Sequence, residues 1–514
     1  MSNVTRFRLF LVGLFVLAAL ATVGVQMRNG FYTRELGSDP DEPAHAVTAL
    51  MVRDYLASSL GTNPAAFATQ YYQHFPKVAL GHYPPVFYGL AGFWLLPSPS
   101  VKALGVLQAL LTALLVVSAA GLMARRMPWW LAGLLALGWS FMPLMQKQSS
   151  MVMADSLLAV VCLWSLIAWQ KFVRSGTAAS SVAFGCLAAL AILTKGSAWL
   201  LGAVPPVYIL LSRAWELLKN WRLWLAPLPV ALLAVPWQLF SSKITARGMT
   251  SDTSAEHLGK AVTFYLEALP RSLTWPVALV LVIALGAILV RWHRSSEERE
   301  DDHSSAALVL ATLLVVFLVP AGVTTRYLLP MFYPALILVS CLLWRWQPWS
   351  VLIVALASIA SVDLPEPQQV DGYSEALGHI HRVSRTDGDL RILVVSDARG
   401  EGSVVAEVAF NKTSASDFSS TVYRASKELA EQDWLGRNYK AKATDLAALS
   451  TLLNQREVDW ILVDYSVQDD RRAPYFGLVE KVLESSAWAH SADLPAIRTP
   501  GGQGRLALYQ SRNL

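Results

Sequence analysis

Apolar segments long enough to cross a hydrocarbon core of roughly 30 Å recur along this chain from Leu9 to Ile359. Inside a bilayer every backbone N–H and C=O must be satisfied within the segment or its neighbours, so such runs are helices. Composition agrees. Only 15% of residues are charged and 54% are hydrophobic, against roughly 25% charged in soluble domains. The mean hydropathy is +0.41. The 19 Trp and 16 Tyr suit interfacial belts as well as packing within a bundle. The net charge of +5 sits largely in short loops between apolar runs, where orientation explains it, so it does not point to nucleic acid. Cys162, Cys186 and Cys341 all lie in apolar segments and imply no disulfide framework.

Arg6 and Arg8 precede the first apolar run, and Ala19-Leu20-Ala21 looks like a signal cleavage site. The run is read as an uncleaved first helix from Phe7 to about Met27, with a cleaved signal peptide as the alternative. On both readings the chain emerges outside the cytoplasm by about Arg28. Short loops rich in Lys and Arg stay inside. The candidates are Arg125-Arg126, Lys171 with Arg174, Arg213 through Lys219 to Arg222, Arg291 through Arg299, and Arg345. Successive candidates are separated by two apolar segments, which places Gly30 to about Tyr83 outside, with the stretches around Asp155, Lys195, Asp252 and Arg326. The last helix then exits outward. Pro84 to Leu96 is apolar but, at roughly 20 Å as a helix, too short to span. It is expected to lie in the outer face, started by Pro84-Pro85 and ended by Pro97-Ser98-Pro99.

The expected architecture is a polytopic α-helical membrane protein with about eleven spans over 1–361, a first outer loop at 28–83, a juxtamembrane helix at 84–97, and a C-terminal soluble α/β domain at 362–514. Within the outer loop, Asp41 to about Leu60 reads as a helix. Asp363-Leu364-Pro365-Glu366-Pro367 reads as a linker. Beyond it, Arg391–Ser396 and Trp460–Asp464 read as buried strands, and Asp445–Gln455 and Tyr475–Ser485 as amphipathic helices. Gly501-Gly502-Gln503-Gly504 is a turn before the strand Arg505–Tyr509, not a nucleotide fingerprint, because no helix follows. Asn411-Lys412-Thr413 fits an acceptor sequon, a triplet common by chance.

Ionisable residues near a bilayer core are costly and are functional candidates by default. One group is Asp39, Asp41 and Glu42, with His45 one turn after Asp41 on the same helix face. A second is Asp155, where one span ends and the next begins. The competing explanation for both is helix capping and a favourable interaction with the helix N-terminus. A third group is cationic: Lys102, Lys195 and Arg326, each placed where the orientation rule disfavours positive charge. Snorkelling to the interface is the alternative here. Carboxylates and cations gathered at one membrane face fit an anionic ligand with a lipid tail.

At these residues the chain resembles the GT-C superfamily of membrane glycosyltransferases, above all protein O-mannosyltransferases and the aminoarabinose transferases that modify lipid A. Asp41-Glu42-Pro43-Ala44-His45 is similar to their first-loop acidic pair, and His82-Tyr83-Pro84-Pro85 to the stretch before their juxtamembrane helix. Val101–Leu104 sits where they commonly carry an Arg, and Met151–Asp155 looks like their second acidic site. Leu193–Gly196 and Arg326–Pro334 look like further shared stretches, so the likeness covers roughly 30–360. There are departures. Tyr83 stands where the aminoarabinose transferases have Lys before Pro-Pro, and Lys102 replaces the usual Arg, losing bidentate phosphate geometry. No β-trefoil insertion is visible.

The resemblance implies a multi-pass protein of the inner (plasma) membrane that transfers a sugar, with inversion, from a polyprenyl-phosphate donor to an extracytoplasmic acceptor hydroxyl on a lipid, polysaccharide or protein. Asp41 would be the general base, with Glu42 and Asp155 as further catalytic carboxylates. Lys102, Lys195 and Arg326 would hold the donor phosphate, and His45, His82, Tyr83 and Tyr327 would line the substrate site. A divalent cation has Asp41 and Asp155 as its candidate ligands. The rival readings are a secondary transporter or lipid flippase, and a non-enzymatic scaffold with a periplasmic binding domain. Transporters usually hold their charges near the midplane within repeated halves, whereas here they sit at loop boundaries.

Overall fold

The computed structural model describes residues 3–245, 252–290, 296–320, 322–362, 366–384, 389–432, 438–499 and 502–512. The basic loop expected from Arg291 lies outside them up to residue 295, as do residues 363–365 of the expected linker and Gly501 of the expected turn.

The first apolar run forms α1 (Asn3–Arg28) and leads into a loop holding α2 (Asp41–Ser58) and α3 (Pro64–His74). Asn63 caps α3, accepting from the Ala65 and Ala66 amides, and Pro64 occupies the first helical position. Next comes α4 (Val86–Trp94), a short apolar helix that starts after Pro84-Pro85. Ser100 caps α5 (Val101–Met123). Then α6 (Trp129–Trp139) and α7 (Pro143–Ser149) lead to α8 (Asp155–Ser175) and α9 (Ala178–Ile192).

Six helices among the described residues are long and apolar enough to cross a membrane: α1, α5, α8, Trp221–Thr245, Arg299–Leu318 and Thr325–Trp346. A seventh candidate is a pair, Ser254–Leu273 and Trp275–Leu289, bent by 111°. The break falls at Thr274, whose φ is +65°, one residue before the Trp275-Pro276 start of the second helix. Four shorter apolar helices complete the set. The expectation of about eleven spans requires the bent pair and these four to count as crossings. Apolar windows of α8 and Thr325–Trp346 are 78% and 83% buried, so these helices form the centre, whereas α1 is 22% buried and lies at the periphery.

The two ends of the bundle differ in chemistry. At one end, Arg125, Arg126 and Arg174 pair with Asp301 and Asp302 at the start of the Arg299–Leu318 span. The C-terminal domain docks on the other, called here the domain end.

That domain is built on a six-stranded sheet in the order β1-β7-β8-β6-β2-β3. Its strands are β1 (Val370–Asp371), β2 (Leu390–Val395), β3 (Ser420–Arg424), β6 (Trp460–Asp464), β7 (Trp488–Arg498) and β8 (Gly502–Ser511), while β4 (Ala430–Glu431) and β5 (Lys440–Ala441) form a separate pair. Strands β3, β2 and β6 run parallel, and β8, β7 and β1 continue the sheet antiparallel. Strand β2 is flanked by β3 on one side and β6 on the other, so the order reverses beside it. Open parallel sheets bind ligands outside the carboxyl ends of their strands at such a reversal.

The domain is fastened to the first loop at many points. The Glu35 amide donates to Val370 O at 2.8 Å. The Glu35 carboxylate accepts from the Tyr373 and Ser374 amides at the start of the next helix. Arg399 donates to Gly37 O at 2.7 Å. Gly37 has φ +130°, and a Cβ there would fall 2.3 Å from Ser403 Oγ, so only glycine fits. The helix Ala398–Phe410 lies against α2 so closely that a Cβ on Gly402 would meet Pro43 and Lys77 at 3.0 Å.

Farther along α2, Lys412 pairs with the fully buried Asp54. The Lys412 ammonium sits within a cage of the Tyr71, Phe75 and Phe418 rings, 4.7, 5.0 and 5.7 Å from their centroids. Lys412→Ala would leave Asp54 with Arg53 and the Tyr71 hydroxyl among the described residues. The expected cost is about 2 kcal/mol, less than for a fully stripped buried charge. It should appear as faster proteolytic release of the C-terminal domain with unchanged helical content. An unaltered cleavage rate would show that the cage adds nothing to docking.

Candidate active site

Charged residues remote in sequence converge at the domain end. Asp41 lies in the first turn of α2. Its Oδ2 accepts from Arg326 Nη2 at 2.6 Å and from the Tyr83 hydroxyl at 3.0 Å. Asp39 Oδ1 accepts from the Asp41 amide at 2.9 Å and stands 3.7 Å from Arg326 Nη1. Asp39 thus satisfies an amide at the start of the helix and leaves the Asp41 side chain to the site. Arg326 sits in the 3-10 turn Thr325–Leu328. The preceding Thr324 is held by Tyr265 of the bent pair, whose hydroxyl donates to Thr324 O at 3.1 Å.

Asp155 opens α8 but caps nothing. Its Oδ1 instead accepts from Lys195 Nζ at 2.7 Å, in a pair whose side chains are 2% and 6% exposed. Lys195 also lies 5.1 Å from the Tyr327 ring and 5.6 Å from the Tyr83 ring. Tyr83 therefore touches both ion pairs. His45 stacks obliquely on Tyr83 at 4.6 Å and bonds through Nδ1 to the Tyr88 hydroxyl at 2.8 Å.

Three polar atoms in this cluster, His45 Nε2, Asp155 Oδ2 and Arg326 Nε, are buried without a hydrogen-bond partner among the described residues. Buried polar atoms are nearly always satisfied, and the exceptions mark places where something else binds. Burial would raise the Asp41 carboxyl, but contact with Arg326, with Lys195 behind it, holds it well below the usual carboxylate range. Burial pushes His45 down to about 4, so it is neutral at neutral pH.

Two cavities meet at this cluster. The membrane-side cavity, about 520 Å³, is lined by Lys195, Ser197, Trp199, Val316 and Tyr327, with residues from the Trp221–Thr245 and Arg299–Leu318 spans. The domain-side cavity, about 640 Å³, is lined by Asp41, Lys77, Ser396, Asp397, Arg424 and Tyr475, and by no residue of a spanning helix. His82 and Tyr83 line both and form the wall between them.

The remaining expected site residues lie elsewhere. Glu42, like Arg326, Asp155 and His45, lines neither cavity, but its partners differ from theirs. It is fully buried and forms a two-point pair with Arg34 at 2.6 and 2.9 Å. It also accepts from the Gly37 and Ser38 amides, the Ser38 hydroxyl and the Val152 amide. Glu42 thus ties the first loop to the turn before Asp155. Lys102 is exposed near the start of α5, and no ion pair joins it to the cluster among the described residues. As for a divalent cation, Asp41 and Asp155 each already hold a cationic side chain, at 2.6 and 2.7 Å. No three His, Cys, Asp or Glu side chains converge among the described residues. This donor set does not fit a metal site.

Two residues that matter here carried no signal in the sequence. Arg34 is the partner of Glu42. Lys77 lines the domain-side cavity and is 9% exposed, in contact with Ala398 and Gly402 of the C-terminal domain.

No family model and no curated protein matches this sequence. Solved structures do share its fold. ArnT from Cupriavidus metallidurans bound to undecaprenyl phosphate matches 97% of this chain and 97% of that one, with a TM-score of 0.59 at 14% identity. The same protein in the apo state gives 0.56 at 15% identity, again over 97% of each chain. Archaeal oligosaccharyltransferase AglB from Archaeoglobus fulgidus, in complex with an inhibitory peptide and a dolichol-phosphate, matches 96% of this chain and 74% of that one, with a TM-score of 0.55 at 10% identity. The chain is a multi-pass membrane protein with the GT-C fold.

Proposed function

We propose that this protein moves a sugar from a polyprenyl-phosphate donor to a hydroxyl of an extracytoplasmic acceptor, in the plasma membrane and with its C-terminal domain outside the cytoplasm. The observation that carries this reading is the pair of cavities parted by Tyr83, one walled by spanning helices and holding Lys195, the other free of them and holding Asp41. A donor with a lipid tail belongs in the first and a water-borne acceptor in the second. The GT-C fold, which it shares with proteins solved with undecaprenyl phosphate and with dolichol-phosphate, supports the same assignment.

The chemistry follows from the charges. Asp41 takes the proton of the acceptor hydroxyl as its oxygen bonds to the anomeric carbon. The bond from that carbon to the phosphate oxygen breaks, and its electron pair leaves with the polyprenyl phosphate. Phosphate is a weak base, so its departure needs positive charge rather than a general acid. Lys195 and Arg326 supply that charge. A single displacement inverts the anomeric centre.

Arg326 also links the two substrates. Paired with Arg326, Asp41 is a poor base. A donor phosphate that draws the guanidinium to itself removes the strongest partner of Asp41 and restores its basicity. The reaction therefore waits for the donor. No step uses a metal ion.

Arg326→Gln is the direct test. Losing a charge-assisted hydrogen bond of about 1.5–3 kcal/mol should weaken polyprenyl-phosphate binding by roughly 10- to 100-fold, measured with purified protein in lipid nanodiscs. Unchanged affinity would remove Arg326 from the donor site.

A further inference from the structure

Lys77 is a buried cation without a carboxylate partner. Its Nζ donates to Ala398 O at 3.0 Å, and no Asp or Glu lies within ion-pair distance among the described residues. A buried amine with no carboxylate partner is costly to keep charged, so an anion placed beside it would restore its charge and be held by it. The remaining charges of the domain-side cavity sharpen the point. Its carboxylates are already matched, Asp41 by Arg326 and Asp397 by Arg498, both at 2.6 Å. Arg424 is matched by Glu401 at 2.8 Å. Arg471 stands exposed on the rim. The lining is therefore net cationic, with Lys77 innermost and close enough to Asp41 to feel its field.

The fold places a ligand in the same spot. Ser396 and Asp397 directly follow β2, and Arg424 ends β3, so the cavity lies outside the carboxyl ends of the parallel strands, beside the reversal of strand order. Tyr72, 45% exposed, offers a ring at the edge on which a pyranose face can lie.

Building on the glycosyl-transfer reading, we infer that the C-terminal domain and the first loop together form the acceptor site, and that the acceptor is a water-borne saccharide bearing an anionic group, carboxylate or phosphate, that docks on Lys77 and presents a neighbouring hydroxyl to Asp41. Burial lowers the Lys77 ammonium to about 7, and an anion beside it would raise it again. The anion is the handle and the hydroxyl is the nucleophile. The domain thereby selects the acceptor while the bundle holds the donor.

The test uses the full chain in lipid nanodiscs and three probes of known composition: a galacturonate hexamer, maltohexaose, and maltohexaose phosphorylated at its primary hydroxyls. Binding is measured by titration calorimetry. At least one acidic probe should bind ten or more times tighter than maltohexaose, and which one does so separates carboxylate from phosphate as the handle. Lys77→Gln should abolish the preference and Lys77→Arg should restore most of it, with polyprenyl-phosphate binding unchanged in both. Equal binding of all three probes by the unaltered protein overturns the inference, whatever the variants do. So does a full preference retained in Lys77→Gln. If instead the unaltered protein fails to bind polyprenyl phosphate, it is the glycosyl-transfer reading that falls.

Discussion

Asp41→Asn should lower sugar transfer by about 10²- to 10⁴-fold, the usual contribution of a positioned general base, while the protein still folds and inserts. The amide keeps the size of the side chain and can still accept from Tyr83 and Arg326 through its oxygen, so the local geometry has little reason to change. What it loses is the capacity to take a proton. Loss of the negative charge also frees Arg326, whose other carboxylate neighbour is Asp39 at 3.7 Å. Donor phosphate should therefore bind Asp41→Asn at least as tightly as the unaltered protein. A fall in turnover with donor affinity kept or raised separates a lost base from a lost binding contact. Normal turnover in this variant would remove Asp41 from the reaction.

Glu42→Ala should produce a large loss of stability. The carboxylate is fully buried, and the side chain of its partner Arg34 is 2% exposed. Removing one member of a buried pair typically costs about 3–5 kcal/mol, because the other charge is left uncompensated. Here the loss reaches further than one pair. The same carboxylate gathers the Gly37 and Ser38 amides and the Val152 amide, so it sets where the first loop, the start of α2 and the turn before Asp155 lie relative to one another. Thermal unfolding should show a Tm well below that of the unaltered protein, and Arg34→Ala should match it. The double variant should be less destabilised than the sum of the two, since each change removes the same interaction. A Glu42→Ala protein of normal Tm and reduced turnover would return Glu42 to the catalytic group.

The parts of this site legible in the sequence were those that membrane insertion makes conspicuous. Asp41, Asp155, Lys195 and Arg326 stood out because a charge at a span boundary needs a reason, and the structure brings these four together. The same reasoning also raised Lys102, which is exposed and outside the cluster. A charge one residue into a helix at the membrane edge can simply reach water. Adjacent residues point to different surroundings: Asp41 faces the cavity and Glu42 the loop behind it. Neighbours on a helix point about 100° apart, but which direction is the site depends on where Arg34 and Arg326 arrive from elsewhere in the chain.

Lys77 was invisible for a related reason. Gly402 of the distant Ala398–Phe410 helix packs against it. That helix was itself hard to read, since Arg399-Gly400-Glu401-Gly402 carries two glycines that weaken a helical pattern. Strand β7 was hidden in the same way. Trp488–Arg498 mixes exposed polar residues with Pro495, and pairs with β8 along nearly its whole length. Strands β2 and β6, continuous apolar runs, were plain.

The claim on which the rest depends is that a lipid phosphate lies in the membrane-side cavity, against Lys195 and next to the Tyr83 wall. A photoactivatable polyprenyl phosphate, its reactive group beside the phosphate, tests this directly when crosslinked to the protein in nanodiscs and mapped by peptide mass spectrometry. Adducts are expected within 195–200 and 312–319, abolished by excess unlabelled polyprenyl phosphate. Adducts confined to the domain-side residues 72–79 and 424–427, or labelling that excess lipid does not displace, would contradict it.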